Sequence, residues 1–133
     1  MKYGLDTNVV LRLLVNDVPD QTMLARAFLD RLEAAGQRAT ISDLVVSEAF
    51  YGLRHHLKVP TEAALLMLSQ ILSDPAIEGE SAPSVLRDLA RAAAPPGLID
   101  QLLLAHHRDH RTTLITFDRA LGALPGAELL SGA

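Results

Sequence analysis

Four runs of three to five residues with strand character, Tyr3–Leu5, Ala39–Ile41, Ala76–Glu78 and Thr113–Phe117, alternate with longer segments whose apolar residues recur at helical spacing. Short strands separated by helices of ten or more residues cannot pair through tight hairpins, so they pair after a crossover and lie parallel. The chain is therefore expected to fold as an α/β domain, a short central parallel sheet flanked by helices. One helix is expected to start after Pro19 and stop near Gly36, with Leu24, Phe28, Leu32 and Ala35 on its buried face, and a second carries Val46, Phe50, Leu53 and Leu57. Further helices are expected over Thr61–Leu72, Pro83–Ala94 and Leu98–His110, and a weak last strand over Glu128–Leu130. Pro95, Pro96 and Gly97 mark a break between two helices rather than a domain boundary.

At 133 residues, 49% of them hydrophobic, the chain is expected to form one domain over residues 1–133. It is too apolar to be mainly disordered. With no Cys it has no disulfide, thiolate metal site or thiol nucleophile. Asp6 and Arg12 interrupt the apolar start, and the longest apolar runs fall far short of the roughly 20 residues that span a bilayer. A cytoplasmic protein with no membrane association is expected. The formal net charge of −4 argues against a broadly basic protein that coats nucleic acid, and it leaves room for a local phosphate site.

The placement of the acids is informative. Asp6 ends the first strand segment and Asp118 follows Thr113–Phe117 in the same way. Ligands of open parallel sheets collect outside the carboxyl ends of the strands, so two acids there can share a crevice. Each is equally suited to cap the helix that follows. Asp100 lies within Gly97-Leu-Ile-Asp-Gln-Leu-Leu-Leu-Ala105, where a buried carboxylate needs a hydrogen bond, a counter-charge or a cation, unless it is a first-turn acid exposed at one edge. Glu48 shares a helix face with Leu44 and Tyr51, nearly opposite Val46 and Phe50, and a solvated Glu fits that position as well.

Together these segments resemble a known family. Asp6-Thr-Asn-Val-Val-Leu-Arg-Leu-Leu14, Ser47-Glu48, Asp100 before an apolar helix and Thr116-Phe-Asp-Arg-Ala-Leu121 resemble the PIN-domain nucleases, and most of all the VapC-type toxins of type II toxin–antitoxin pairs. The resemblance covers essentially the whole chain. It implies a three-layer α/β/α fold with the first strand in the middle of the sheet, and metal-dependent endoribonuclease activity that leaves a 5′-phosphate and a 3′-hydroxyl. By motif position Asp6, Glu48, Asp100 and Asp118 are the family's catalytic acids, with Asn8 and Thr116 in support. It further implies a small cognate antitoxin that wraps an apolar groove, and a homodimer; Ala63–Leu68 suits either contact or the core. The chain departs from the family's pattern at Leu98-Ile-Asp100 and at Gly4.

The chemistry follows from the residue types. Clustered carboxylates repel unless a cation neutralises them, and an oxygen-only set suits Mg²⁺ or Mn²⁺. Such an ion activates water and stabilises charge on a phosphoryl oxygen. Asp6 and Asp100 are expected as principal metal ligands, Asp118 as an additional or water-mediated one, and Glu48 as the group that orients or deprotonates water or holds a second ion. Thr116 is expected to bond a carboxylate or metal water, Asn8 to fix Asp6 or cap the helix, and Arg119 to contact phosphate or form a surface ion pair. His106 and His110 stand one helical turn apart, yet no third zinc ligand has an evident position, so they read as surface histidines. Single-stranded or looped RNA is the expected substrate, since its bases can be splayed out; five aromatics are too few for an extended stacking platform.

The alternatives are a PIN-like RNA- or protein-binding module without activity, or a PIN nuclease in RNA processing. A phosphate-accepting receiver needs a late Lys, and none follows Lys58; an Asp-x-Asp phosphatase needs an acid where Asn8 stands. Setting aside the four candidate acids leaves twelve acids against twelve cations. The negative charge is then a concentrated cation site rather than a bar to nucleic acid.

Overall fold

The computed structural model describes residues 2–89 and 96–131. It has the expected α/β class, with parallel strands joined through helices, and divides into two compact units, Met1–Pro83 and Ser84–Ala133.

In the first unit β1 (Tyr3–Gly4), β2 (Ala39–Ile41) and β3 (Ile77–Gly79) form a parallel sheet in the order β1-β2-β3. Tyr3 pairs with Ala39, and Ala39 in turn with Ile77. β2 is thus the middle strand. The expectation of a central first strand is not met within this sheet, because β1 forms its ladder with β2 alone among the described residues. A side chain at Gly4 would meet only the Thr40 carbonyl, at 4.0 Å, so nothing there requires glycine.

The helices are α1 (Thr7–Leu14), α2 (Pro19–Ala34), α3 (Asp43–Tyr51) and α4 (Thr61–Leu72). Pro19 is the first residue of α2, where its missing N–H costs nothing, and Gly36 follows the helix at φ +67°, a left-handed turn that glycine enters freely. The buried stripe of α2 is Ala25, Leu29 and Leu32, not the expected Leu24, Phe28, Leu32 and Ala35. The two stripes are adjacent on the helix, and rotation toward the first leaves Leu24 72% exposed and Phe28 half-buried, edge-on against Tyr3 at 5.3 Å. The Val46, Phe50, Leu53, Leu57 face points inward as expected, but the helix changes form within it. α3 runs into a π-helical turn over Gly52–His56, where Leu57 N–H bonds the carbonyl of Gly52 five residues back. Gly52 packs on Leu11, whose methyl would stand 3.3 Å from an added Cβ.

Val10, Ile41, Val46, Leu53, Leu68 and Ile77 are fully buried. Each contributes about 1.5–3 kcal/mol of apolar burial. Of Ala63–Leu68, Ala64 and Leu68 are core while Leu66 is 59% exposed. Met67, Leu13, Leu14 and Ile71 line a cleft of roughly 210 Å³ with Arg26, Gln70 and Asp74.

α5 (Ala82–Leu89) starts as the first unit ends; its expected continuation over residues 90–94 lies outside the described residues. In the second unit α6 (Leu98–Asp109) is followed by β4 (Leu114–Thr116), α7 (Arg119–Gly122) and β5 (Ala127–Leu129), with β4 and β5 parallel. Leu104, Leu114 and Leu121 form its core with Leu124 and Ala127. The Arg108 guanidinium donates to the carbonyl of Pro125, and Gly126, at φ +91°, leaves the room this needs. Among the described residues no helix is long and apolar enough to cross a membrane.

Two acids lock the starts of α3 and α5 to each other. The Asp43 carboxylate accepts from the backbone N–H groups of Ser81 (3.1 Å) and Ala82 (2.9 Å), while Glu80 Oε1 accepts from Asp43 N–H at 2.7 Å. Unmade, these bonds leave helix N-terminal donors unpaired. Asp43→Ala is expected to lower the unfolding free energy by about 2 kcal/mol, read from the urea midpoint, and Glu80→Ala by less because it removes a single bond.

Candidate active site

The first unit carries two of the proposed site acids. Asp6 follows β1 after Leu5 and is the N-cap of α1, its Oδ1 accepting from Val9 N–H at 3.1 Å. The strand is extended through Asp6 (φ −86°, ψ 172°) and the helix begins at Thr7, which places the carboxylate at the carboxyl end of the strand. Oδ2 accepts no hydrogen bond from the described residues. Asn8 is exposed one residue into the helix; Asp6 itself supplies the cap, which leaves Asn8 out of that role. Glu48 lies on the outer face of α3 with Leu44 (70% exposed) and Tyr51 (52% exposed), opposite fully buried Val46, as its periodicity implied. Ser42 starts this helix, its hydroxyl accepting from Val45 N–H.

The second unit carries the other two. Asp118 repeats the geometry of Asp6: it follows β4, caps α7 and accepts from Leu121 N–H through Oδ1 at 2.9 Å. The Thr116 hydroxyl accepts from Asp118 N–H at 3.0 Å, so Thr116 holds the backbone that carries the acid rather than bonding a carboxylate. Arg119 is the exposed first residue of α7 and forms no ion pair among the described residues. Asp100 is a half-exposed first-turn acid of α6, between buried Leu98 and Leu102. It is not enclosed in the apolar stretch that surrounds it in sequence, since the helix carries Ile99 and Leu103 outward at 43% and 44% exposure.

His106 and His110 stack at 4.3 Å near the end of α6, and His110 Nδ1 is 2.8 Å from the carbonyl of His106. Among the described residues no group of three or more His, Asp and Glu side chains is gathered to hold a metal. The donor chemistry nonetheless fits a hard cation. None of Asp6, Glu48, Asp100 and Asp118 forms an ion pair with a described residue, and each keeps at least one carboxylate oxygen that no described donor takes. The sequence did not point to Asp43 and Glu80, which position α3 and hence Glu48. They bond across 37 to 39 residues of chain, a separation that no local pattern reports.

The chain belongs to the PIN domain family, whose model matches residues 3–126. A solved structure of VapBC2 from Rickettsia felis bound to a DNA fragment from their promoter is similar to it, with 21% identity and a TM-score of 0.45 over 98% of each chain. No curated protein sequence is a significant match.

Because Asn caps a helix about as well as Asp, the structural and chemical duties of Asp6 can be separated. Asp6→Asn is expected to leave the thermal midpoint close to wild type. Asp6→Ala costs about 1 kcal/mol of stability, and both variants lose the charge.

Proposed function

We propose that this protein is a metal-dependent endoribonuclease, the toxin of a type II toxin–antitoxin pair, acting in the cytoplasm as a single PIN domain over residues 1–133. The observation that carries the reading is the PIN family match over residues 3–126. The sequence resemblance puts Asp6, Glu48, Asp100 and Asp118 at the family's acidic positions, and none of them forms an ion pair with a described residue. The toxin assignment rests on the likeness of the Asp6-Thr-Asn and Thr116-Phe-Asp-Arg segments to VapC-type chains.

In this reading Asp6 and Asp100, with Asp118 as an additional ligand, would hold Mg²⁺ or Mn²⁺, Asp6 and Asp118 through the oxygen that helix capping leaves over. Held there, such an ion would supply a water of lowered pKa and offset charge on the phosphoryl oxygen. Glu48, on a helix whose start is locked by the Asp43–Glu80 exchange, orients the attacking water or takes its proton. Thr116 holds the backbone of Asp118 and Leu121 N–H holds its carboxylate, so the acid is presented just past the end of β4. Arg119 contacts a substrate phosphate, a role its planar guanidinium suits. RNA is the substrate, a small antitoxin the partner, and a homodimer the working form.

Cleavage of structured RNA and of single-stranded DNA by the purified protein, with Mg²⁺, Mn²⁺ or EDTA, tests this. RNA is expected to be cut only with metal. Asp6→Asn and Asp100→Asn abolish cutting, and Glu48→Gln slows it by about 100-fold or more. Cutting in EDTA, or Asn variants as active as wild type, overturns the mechanism; RNA binding without any cutting identifies a binding module instead. Expression of the wild type is expected to arrest growth, and Asp6→Asn to relieve the arrest.

A further inference from the structure

The chain has no Trp and five other aromatic residues. Tyr3 and Phe28 pack on each other and Phe50 is half-buried. The two that remain, Tyr51 and Phe117, are 52% and 79% exposed. Each stands beside a proposed catalytic acid: Tyr51 is one helical turn after Glu48 on the same face of α3, and Phe117 directly precedes Asp118.

Tyr51 is also held in place. The π-helical turn that follows it brings the His55 ring to 4.4 Å from the tyrosine ring at 39°, and the His56 ring to 5.7 Å at 68°. A ring braced on one side by another ring loses little further freedom when a planar group stacks on it. Between Glu48 and Glu62 the chain carries no acid, while Arg54, His55, His56 and Lys58 supply side-chain donors to a phosphate. Lys58 is exposed, at φ +57°, and Arg54 is held by its bond to the carbonyl of Val59 at 2.8 Å. At the second position Arg119 lies two residues beyond Phe117, exposed and without an ion pair among the described residues.

We infer that Tyr51, braced by His55, and Phe117 are stacking contacts for individual bases of single-stranded RNA next to the acids that cut it. The inference rests on the nuclease reading and names how its substrate is gripped. Unpaired bases stack on exposed aromatic faces irrespective of sequence, and the neighbouring cations meet the phosphates. Two isolated rings are consistent with the scarcity of aromatics, which rules out an extended platform but not a grip on single bases.

The test measures binding of a short single-stranded RNA containing a fluorescent base analogue, in the Asp6→Asn chain so that substrate is not consumed. Tyr51→Leu and Phe117→Leu are each expected to weaken binding about tenfold and to relieve the quenching of the analogue, while Tyr51→Trp retains both. In the otherwise unaltered chain the KM for RNA rises by more than kcat falls. Circular dichroism melting checks that the variants remain folded. Unchanged affinity in folded Tyr51→Leu and Phe117→Leu overturns the inference. So does unchanged RNA affinity with altered self-association in sedimentation, which makes these rings a contact between copies of the chain. Binding is read separately from cutting: an intact chain that binds RNA through Tyr51 but never cuts it defeats the nuclease reading alone.

Discussion

Strands of two or three residues leave no length over which a chain can turn gradually, so each must pass into its helix at once, and that helix begins with unpaired N–H groups. Side chains meet this demand throughout the described structure. After β1 the donor is Val9 N–H and the acceptor Asp6; after β2, Val45 N–H and Ser42, with Glu80 taking Asp43 N–H. After β3 it is Ser81 and Ala82 N–H on Asp43, and after β4 Leu121 N–H on Asp118. Most of these acceptors are carboxylates, which also suit the positive end of a helix. The acids at the carboxyl ends of the strands thus meet a demand of the fold, and the site chemistry proposed for this chain draws on two of them, Asp6 and Asp118.

That economy explains what could and could not be read from the sequence. Thr61–Leu72 and Ala39–Ile41 were legible to the residue, because a run of Leu and Ala at helical spacing and a short segment with a β-branched pair, bounded by Arg38 and Ser42, are strong local signals. Ile77–Gly79, Leu114–Thr116 and Ala127–Leu129 lie within one residue of the expected bounds at their starts, since strand ends are fixed by pairing partners that are distant in sequence. The buried face of α2 was displaced by one position. Its sequence offers two neighbouring apolar stripes, and only packing chooses between Leu24 and Ala25. The order of the sheet was not legible at all, because no periodicity states which strand lies in the middle.

Among the candidate site residues, position on a helix was more legible than environment. The position of Glu48 opposite Val46 followed from periodicity, and the capping by Asp6 and Asp118 from their place after strands. For Asp100 the sequence allowed either an enclosed carboxylate or a first-turn acid exposed at one edge, and the structure has the second, because neighbours in sequence are not neighbours on a helix surface: Ile99 and Leu103 face outward and the carboxylate is half-exposed. Thr116 was assigned a carboxylate or water partner and has a backbone one, a distinction that turns on a hydroxyl rotamer.

The cap of Asp6 has an evolutionary corollary. Exchange of Asp for Asn at that position takes a single nucleotide change, keeps the hydrogen bond to Val9 N–H within the amide's reach, and so escapes the folding defects on which cellular quality control acts. Selection on abundance is blind to such a change. Under the proposed function, a lineage can therefore pass between an active and an inactive form of this protein without first losing the folded molecule, and only selection on the proposed reaction preserves the charge.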